Sequence, residues 1–133
     1  MNNHICKAKC INTGKWIRGY YLAKTDPLYN ITYHYIVFQQ RDKNGILDSL
    51  MTWWPINPDT VCRYTGVNDQ NGSPIFEHDI LCGTVYHMFD ACTETFEVHW
   101  LNDVGGWGLN YFEPNDCVII GNKFDNTELM EEL

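Results

Sequence analysis

The sequence predicts an all-β (mainly β) protein, a small barrel or sandwich of short, mostly antiparallel strands with a short C-terminal helix. Three observations predict it. Five Trp, eight Tyr and six Phe join many Val, Ile and Thr, the residues that suit a pleated, half-buried surface. Short runs of these residues are separated by Gly, Pro and Asn-Gly signals. Only the last residues carry any helical pattern.

Taken in order, residues 15–22 (KWIRGYYL) read as a strand with aromatics on both faces, Gly19 marking a bulge or a close approach. Thr25-Asp26-Pro27 breaks it. Residues 31–38 (ITYHYIVF) are almost all β-branched or aromatic, and Asn44-Gly45 is a hairpin turn because both residues tolerate positive φ. Residues 46–54 (ILDSLMTWW) are the returning strand, ended by Pro55 and Pro58. Val61–Tyr64 and Ile75-Phe76 are brief strands on either side of a second Asn-Gly turn, Asn71-Gly72. Ile80–Met88 and Thr95–Leu101 are two more, joined by residues 89–94. In the latter, Phe96, Val98 and Trp100 alternate with Glu97 and His99, the pattern of a sheet with one wet face. Gly105-Gly106-Trp107-Gly108 reads as a flexible turn and Val118–Ile120 as a short buried strand. In the tail, Asn126 can cap a helix of about seven residues with Leu129, Met130 and Leu133 as its partial apolar stripe.

The chain has 133 residues, which fits one domain over 1–133, and 44% of them are apolar. A core is therefore available without disulfide or metal staples. It is an acidic protein: seventeen Asp plus Glu against nine Lys plus Arg give a formal charge of −8. Phosphate neutralisation needs clustered cations. Lys7–Lys9–Lys15–Arg18 is the nearest to a basic patch, so nucleic acid is an unfavoured partner. Six cysteines follow no apolar leader, since Met1-Asn2-Asn3-His4 opens a mixed segment. Free thiols in a reducing cytoplasm are expected. No apolar run approaches a membrane span.

At the centre lies Tyr64-Thr65-Gly66-Val67-Asn68-Asp69-Gln70-Asn71-Gly72-Ser73-Pro74-Ile75-Phe76-Glu77-His78-Asp79-Ile80-Leu81. This resembles the signature of the YopX-like family of phage and prophage proteins: tyrosine-threonine-glycine, an acidic Asn-Gly turn, then an aromatic-Glu-Gly-Asp-Ile corner. Asn57–Val61 is similar to the family's lead-in, so the central signature covers 57–81. Residues 118–126, with Gly121 and Asn122, are similar to its second motif, and Gly14–Tyr21 to its N-terminal one. The resemblance implies a β-rich fold, a phage or prophage origin and a bacterial host cytoplasm. It implies no reaction. One departure stands out: His78 occupies the position where the family usually has Gly. If that residue takes a positive φ, His carries a modest strain that Gly avoids.

The residues of the motif have a physical sense of their own. Gly66 and Gly72 permit backbone shapes other residues resist, and Asp69 can accept hydrogen bonds from amides two residues on. On an extended segment Glu77 and Asp79 would face the same way. That pair could hold a cation or serve a metal-dependent hydrolase, but paired carboxylates do chemistry only where a pocket shifts their pKa values apart. Solubilising and turn-capping roles are the simpler account.

Other constellations are weaker. His4, Cys6 and Cys10 lack a fourth ligand and the paired spacing of a zinc site. His87, His99 and Cys92 could approach one another across a hairpin, yet nothing marks a triad. Gly105–Gly108 lacks the lysine of a phosphate loop. No catalytic set, metal set or cofactor motif emerges, and the sequence points away from an enzyme. The aromatics are the open feature. Tyr20, Tyr21, Trp53, Trp54 and Trp107 include neighbours that point to opposite faces of a strand. An exposed row could stack bases, or form a protein interface, where Trp and Tyr concentrate. The acidic charge favours a protein partner, including a second copy of the chain.

Overall fold

A computed structural model describes residues 5–41, 44, 47–87, 90–103, 105–109 and 113–133. Eleven strands are named among them: β1 (Ile5–Lys9), β2 (Trp16–Asp26), β3 (Ile31–Arg41), β4 (Leu47–Pro55), β5 (Cys62–Asn68), β6 (Pro74–Phe76), β7 (Asp79–His87), β8 (Asp90–Glu97), β9 (His99–Leu101), β10 (Gly106–Gly108) and β11 (Cys117–Asn122), followed by one short helix, α1 (Thr127–Met130). The protein is mainly β. Its strands pair antiparallel in open sheets, with no closed barrel among the described residues. The chain forms two compact units, Met1–Arg63 and Tyr64–Leu133.

In the first unit the order is β4-β3-β2-β1, with Cys62 and Arg63 of β5 paired to Lys7 and Cys6 of β1. The hairpin expected from 31–38 and 46–54 is present, with Ile36 opposite Trp54 and Val37 opposite Trp53. Its turn at Gly45 lies outside the described residues. One sheet face buries Cys6, Ala8 and Ile36 with Ile56, and packs Ile17 and Val61 against them. Gly19 is a close approach: a Cβ there would stand 2.7 Å from the Val37 carbonyl oxygen and 2.8 Å from Ile36 Cγ2. Strand β2 runs to Asp26, past the break read at Thr25. The chain reverses only after Asp26, whose carboxylate accepts from the Leu28 and Tyr29 amides and whose carbonyl accepts from Asn30 N–H. Strand β1 was not expected, although Cys6, Ala8 and Cys10 alternate with Lys7 and Lys9 at the strand period. Its buried residues, Cys6 and Ala8, are small and not strand formers.

In the second unit β11-β7-β8 form one sheet and β10-β9 a ribbon, while Tyr64 and Asn68 of β5 pair with Phe76 and Pro74 of β6. Ile75, Leu81, Phe96, Val98 and Cys117 form the core, with Trp107, Leu109 and Ile119 against it. Each large apolar side chain buried there contributes about 1.5–3 kcal/mol. Residues 90–94, expected in a connection, belong to β8, because the β7 register continues to His87 opposite Asp90. Gly106–Gly108, expected as a flexible turn, is a strand that sets Trp107 opposite Trp100. The chain reverses just before it, where Gly105 N–H donates to the Leu101 carbonyl. Helix α1 is one turn long, and no helix among the described residues is long and apolar enough to cross a membrane. The Asn126 side chain does not cap it. Its carbonyl oxygen accepts instead from Asn122 N–H at 3.1 Å.

Candidate functional site

Two places gather the sequence-derived residues, one in each unit. In the first unit, antiparallel register decides which side chains share a face. Tyr20, Val37 and Trp53 form one row across the sheet, and Leu22, Tyr35 and Pro55 the next; Lys24 then stands opposite Tyr33, and Asp26 opposite Ile31. On the same face β1 adds Ile5, Lys7 and Lys9 opposite Tyr20, Arg18 and Trp16. This is the face away from the Cys6–Ala8–Ile36 core. Tyr20 is 54% exposed, Tyr33 47% and Trp53 45%, and Leu22 and Ile31 are exposed beside them. Tyr35 meets Trp53 edge-on at 5.4 Å between centroids. Lys7 and Lys9 hold their ammonium groups 4.6 and 5.4 Å from the Trp16 ring. A hollow of about 400 Å³ lined by Lys24, Pro27, Tyr33 and Tyr35 lies at one end of the face.

The other three aromatics do not join that row. Tyr21 stacks on His34 and contacts its Nδ1 at 2.5 Å through the hydroxyl. Trp54 stacks on Phe38 on the core side, its Nε1 buried without an acceptor among the described residues. Trp107 is half-buried in the second unit, edge-on to Trp100 at 5.1 Å.

Net charge had argued against anionic partners, but the charge is segregated. Eight of the nine Lys and Arg residues, and only four of the seventeen acids, fall in Met1–Arg63. That unit is formally +4 and Tyr64–Leu133 is −12. The exposed sheet face carries Lys7, Lys9, Arg18 and Lys24 against Asp26.

In the second unit the signature residues build one connected frame. Tyr64 packs on Phe76 at 5.6 Å and donates from its hydroxyl to Asn68 Oδ1 at 2.6 Å. Thr65 Oγ1 donates to the Ile75 carbonyl at 2.8 Å. Gly66 and Gly72 take φ of +89° and +80°, where a side chain would be strained. Asp69 is buried, and one carboxylate oxygen accepts from the Asn71 and Ser73 amides, both at 2.9 Å. Its other oxygen accepts from Ile119 N–H at 3.1 Å, joining the central signature to the C-terminal one. There Asn122 Oδ1 accepts from the Phe124 and Asp125 amides. Gly121 leaves the room that the Asn126 carboxamide fills.

The corner at Glu77–Asp79 differs from the extended segment that would align its two carboxylates. His78 takes φ +68°, so the chain turns between them. Asp79 is buried and its Oδ2 accepts from Phe76 N–H at 2.8 Å, a turn-capping role. The imidazole of His78 reaches Glu97 instead: Nδ1 lies 2.6 Å from Oε2, while Glu97 Oε1 lies 3.5 Å from His99 Nε2. The sequence alternation puts Glu97 and His99 on one wet face but gives no link from either to His78. The missing signal was register. Ile80 pairs with Glu97, and beyond that pair Val98 N–H donates to the Asp79 carbonyl and His78 N–H to the Val98 carbonyl, which brings the corner beside His99. The side chains of His87 and Cys92 lie outside the described residues, as does His4. Cys6, Cys10, Cys62 and Cys117 are buried and Cys82 is half-buried, none of them in a disulfide.

These features, a β-rich chain with the two linked signatures, define a protein of the class the sequence resembled. The family model for the YopX protein matches residues 18–131, and the chain belongs to the YopX family. No curated protein and no solved structure matches it.

Proposed function

We propose that the protein is a non-enzymatic accessory protein of phage or prophage origin, working in the bacterial cytoplasm by protein–protein contact. Its binding surface is the exposed sheet face of Met1–Arg63, and its occupant is the acidic Tyr64–Leu133 unit of a second copy. The observation that carries this reading is the pairing of an exposed aromatic face with segregated charge, +4 on the unit that bears it and −12 on the other. Exposed Trp and Tyr are what interface centres concentrate, and opposite fields steer and orient association.

A second reading is supported by the interleaving of rings and cations on the same face. Tyr20, Tyr33 and Trp53 among Lys7, Arg18 and Lys24 suit the bases and phosphates of a single strand. Sedimentation of the full chain across ionic strength, with a labelled single-stranded oligonucleotide in a parallel cell, tests both. Self-association that weakens with salt supports the first reading. A monomer that binds the oligonucleotide at low salt replaces it with the second, and a monomer that binds neither overturns both.

A further inference from the structure

We propose that His78, Glu97 and His99 form a binding site for a divalent transition-metal ion of the zinc class. The three residues come from the corner before β7, the end of β8 and the start of β9. Their ligand atoms all lie within 4.8 Å of one another. Two imidazole nitrogens and one carboxylate are donors of the kind zinc takes, and imidazole selects such ions over calcium or magnesium.

The local backbone is arranged to bring His78 there. A non-glycine residue at φ +68° is uncommon, and such a conformation persists only where its surroundings hold it. Here they do: His78 N–H donates to the Val98 carbonyl at 2.9 Å, and its own carbonyl accepts from Lys123 N–H at 3.0 Å. The Phe124 ring meets the imidazole at 88° and 6.0 Å, and His99 meets it at 84° and the same distance.

Glu97 is the hub. Its side chain is 8% exposed, and each of its two oxygens faces a different imidazole. In the metal-free protein the 2.6 Å contact to His78 orients both groups. Bound zinc sits about 2.0–2.2 Å from such donors, so donors that share it lie closer together than the present outer limit, and rotation of the exposed His99 side chain closes the difference. A tetrahedral ion would keep a fourth position for water or an outside ligand. The site is wholly within Tyr64–Leu133 and does not depend on the docking face of the other unit.

The test is titration of the reduced full-length chain with Co²⁺, a coloured zinc surrogate, followed by displacement with Zn²⁺. The expected result is one ion per chain, visible d–d bands and no thiolate charge-transfer band. Because loss of even an outer-shell partner costs about 10–100-fold in metal affinity, His78→Gly and His99→Gln should each weaken binding at least about 10-fold. His78→Gly suits its backbone conformation, so an unchanged metal-free melting curve assigns the loss to the ligand. Binding equal to wild type in both variants, a thiolate band, or no binding by the wild type would overturn the assignment.

Discussion

The carboxylate of Asp69 accepts a hydrogen bond from the Ile119 amide, fifty positions further along the chain. The same side chain accepts from Asn71 and Ser73, so one buried group closes the Asn-Gly turn and ties it to β11. Leaving a buried amide without an acceptor costs about 1–3 kcal/mol. The three amides that Asp69 accepts from are only part-buried, so Asp69→Ala is expected to destabilise Tyr64–Leu133 by about 1–3 kcal/mol, read as a lower urea midpoint at unchanged slope.

His78 sits in the left-handed region, which costs a non-glycine residue about 1–2 kcal/mol. His78→Gly removes that strain and loses the Glu97 contact, so its stability should stay within about 1 kcal/mol of wild type. His78→Val puts a β-branched side chain in the same conformation. It should be the less stable of the two by at least about 2 kcal/mol in the same urea titration.

Gly121 and the Asn126 carboxamide occupy adjoining space, and a Cβ at 121 would collide with the amide. Overpacking of this kind costs about 1–3 kcal/mol. Removing the amide first removes the collision, so Gly121→Ala should cost much less in an Asn126→Ala background. A double-mutant cycle should show a coupling above about 1 kcal/mol.

Cys117 is pushed up to about 11 by burial, with the negative charges of Asp116, Cys82 and Asp69 acting in the same direction. An unfolded thiol ionises near pH 8.5, so the folded chain binds the proton more tightly than the unfolded one. This contribution is fully present below about pH 8.5 and is lost as pH rises through about 11. At pH 8 the thiolate fraction is more than about 100-fold below that of an unfolded cysteine. Mass spectrometry after brief alkylation should find Cys117 unmodified in the native protein and modified in urea.

Most of the fold was legible because it rests on local signals. The run 31–38, the turn residues Asp69 and Gly72, and the alternation of Phe96 and Val98 against Glu97 and His99 all declare themselves within a few residues. Strand β1 was weaker, since its only signal is the short alternation of Cys6, Ala8 and Cys10 with Lys7 and Lys9, and neither Cys nor Ala favours a strand. The grouping of His78 with His99 depends on the β7–β8 register, which no local pattern encodes. The exposed aromatic face was half legible. Trp53 and Trp54 were known to diverge, but that Trp53 joins Tyr20 and Tyr33 on the cationic side follows only from the pairing of β2, β3 and β4. Net charge misled for a related reason: −8 averages two units of opposite sign.

The most direct test of the proposed docking role is light scattering on the wild type and a Tyr33→Glu/Trp53→Glu double variant, at about 50 mM and about 0.5 M salt, where screening lengths differ several-fold. Both substituted side chains are exposed, so the variant should fold. The wild type should exceed the monomer mass at low salt and fall toward it at high salt, while the variant stays monomeric throughout. A wild type that is monomeric at every concentration, or a variant that associates as strongly as wild type, would contradict the account.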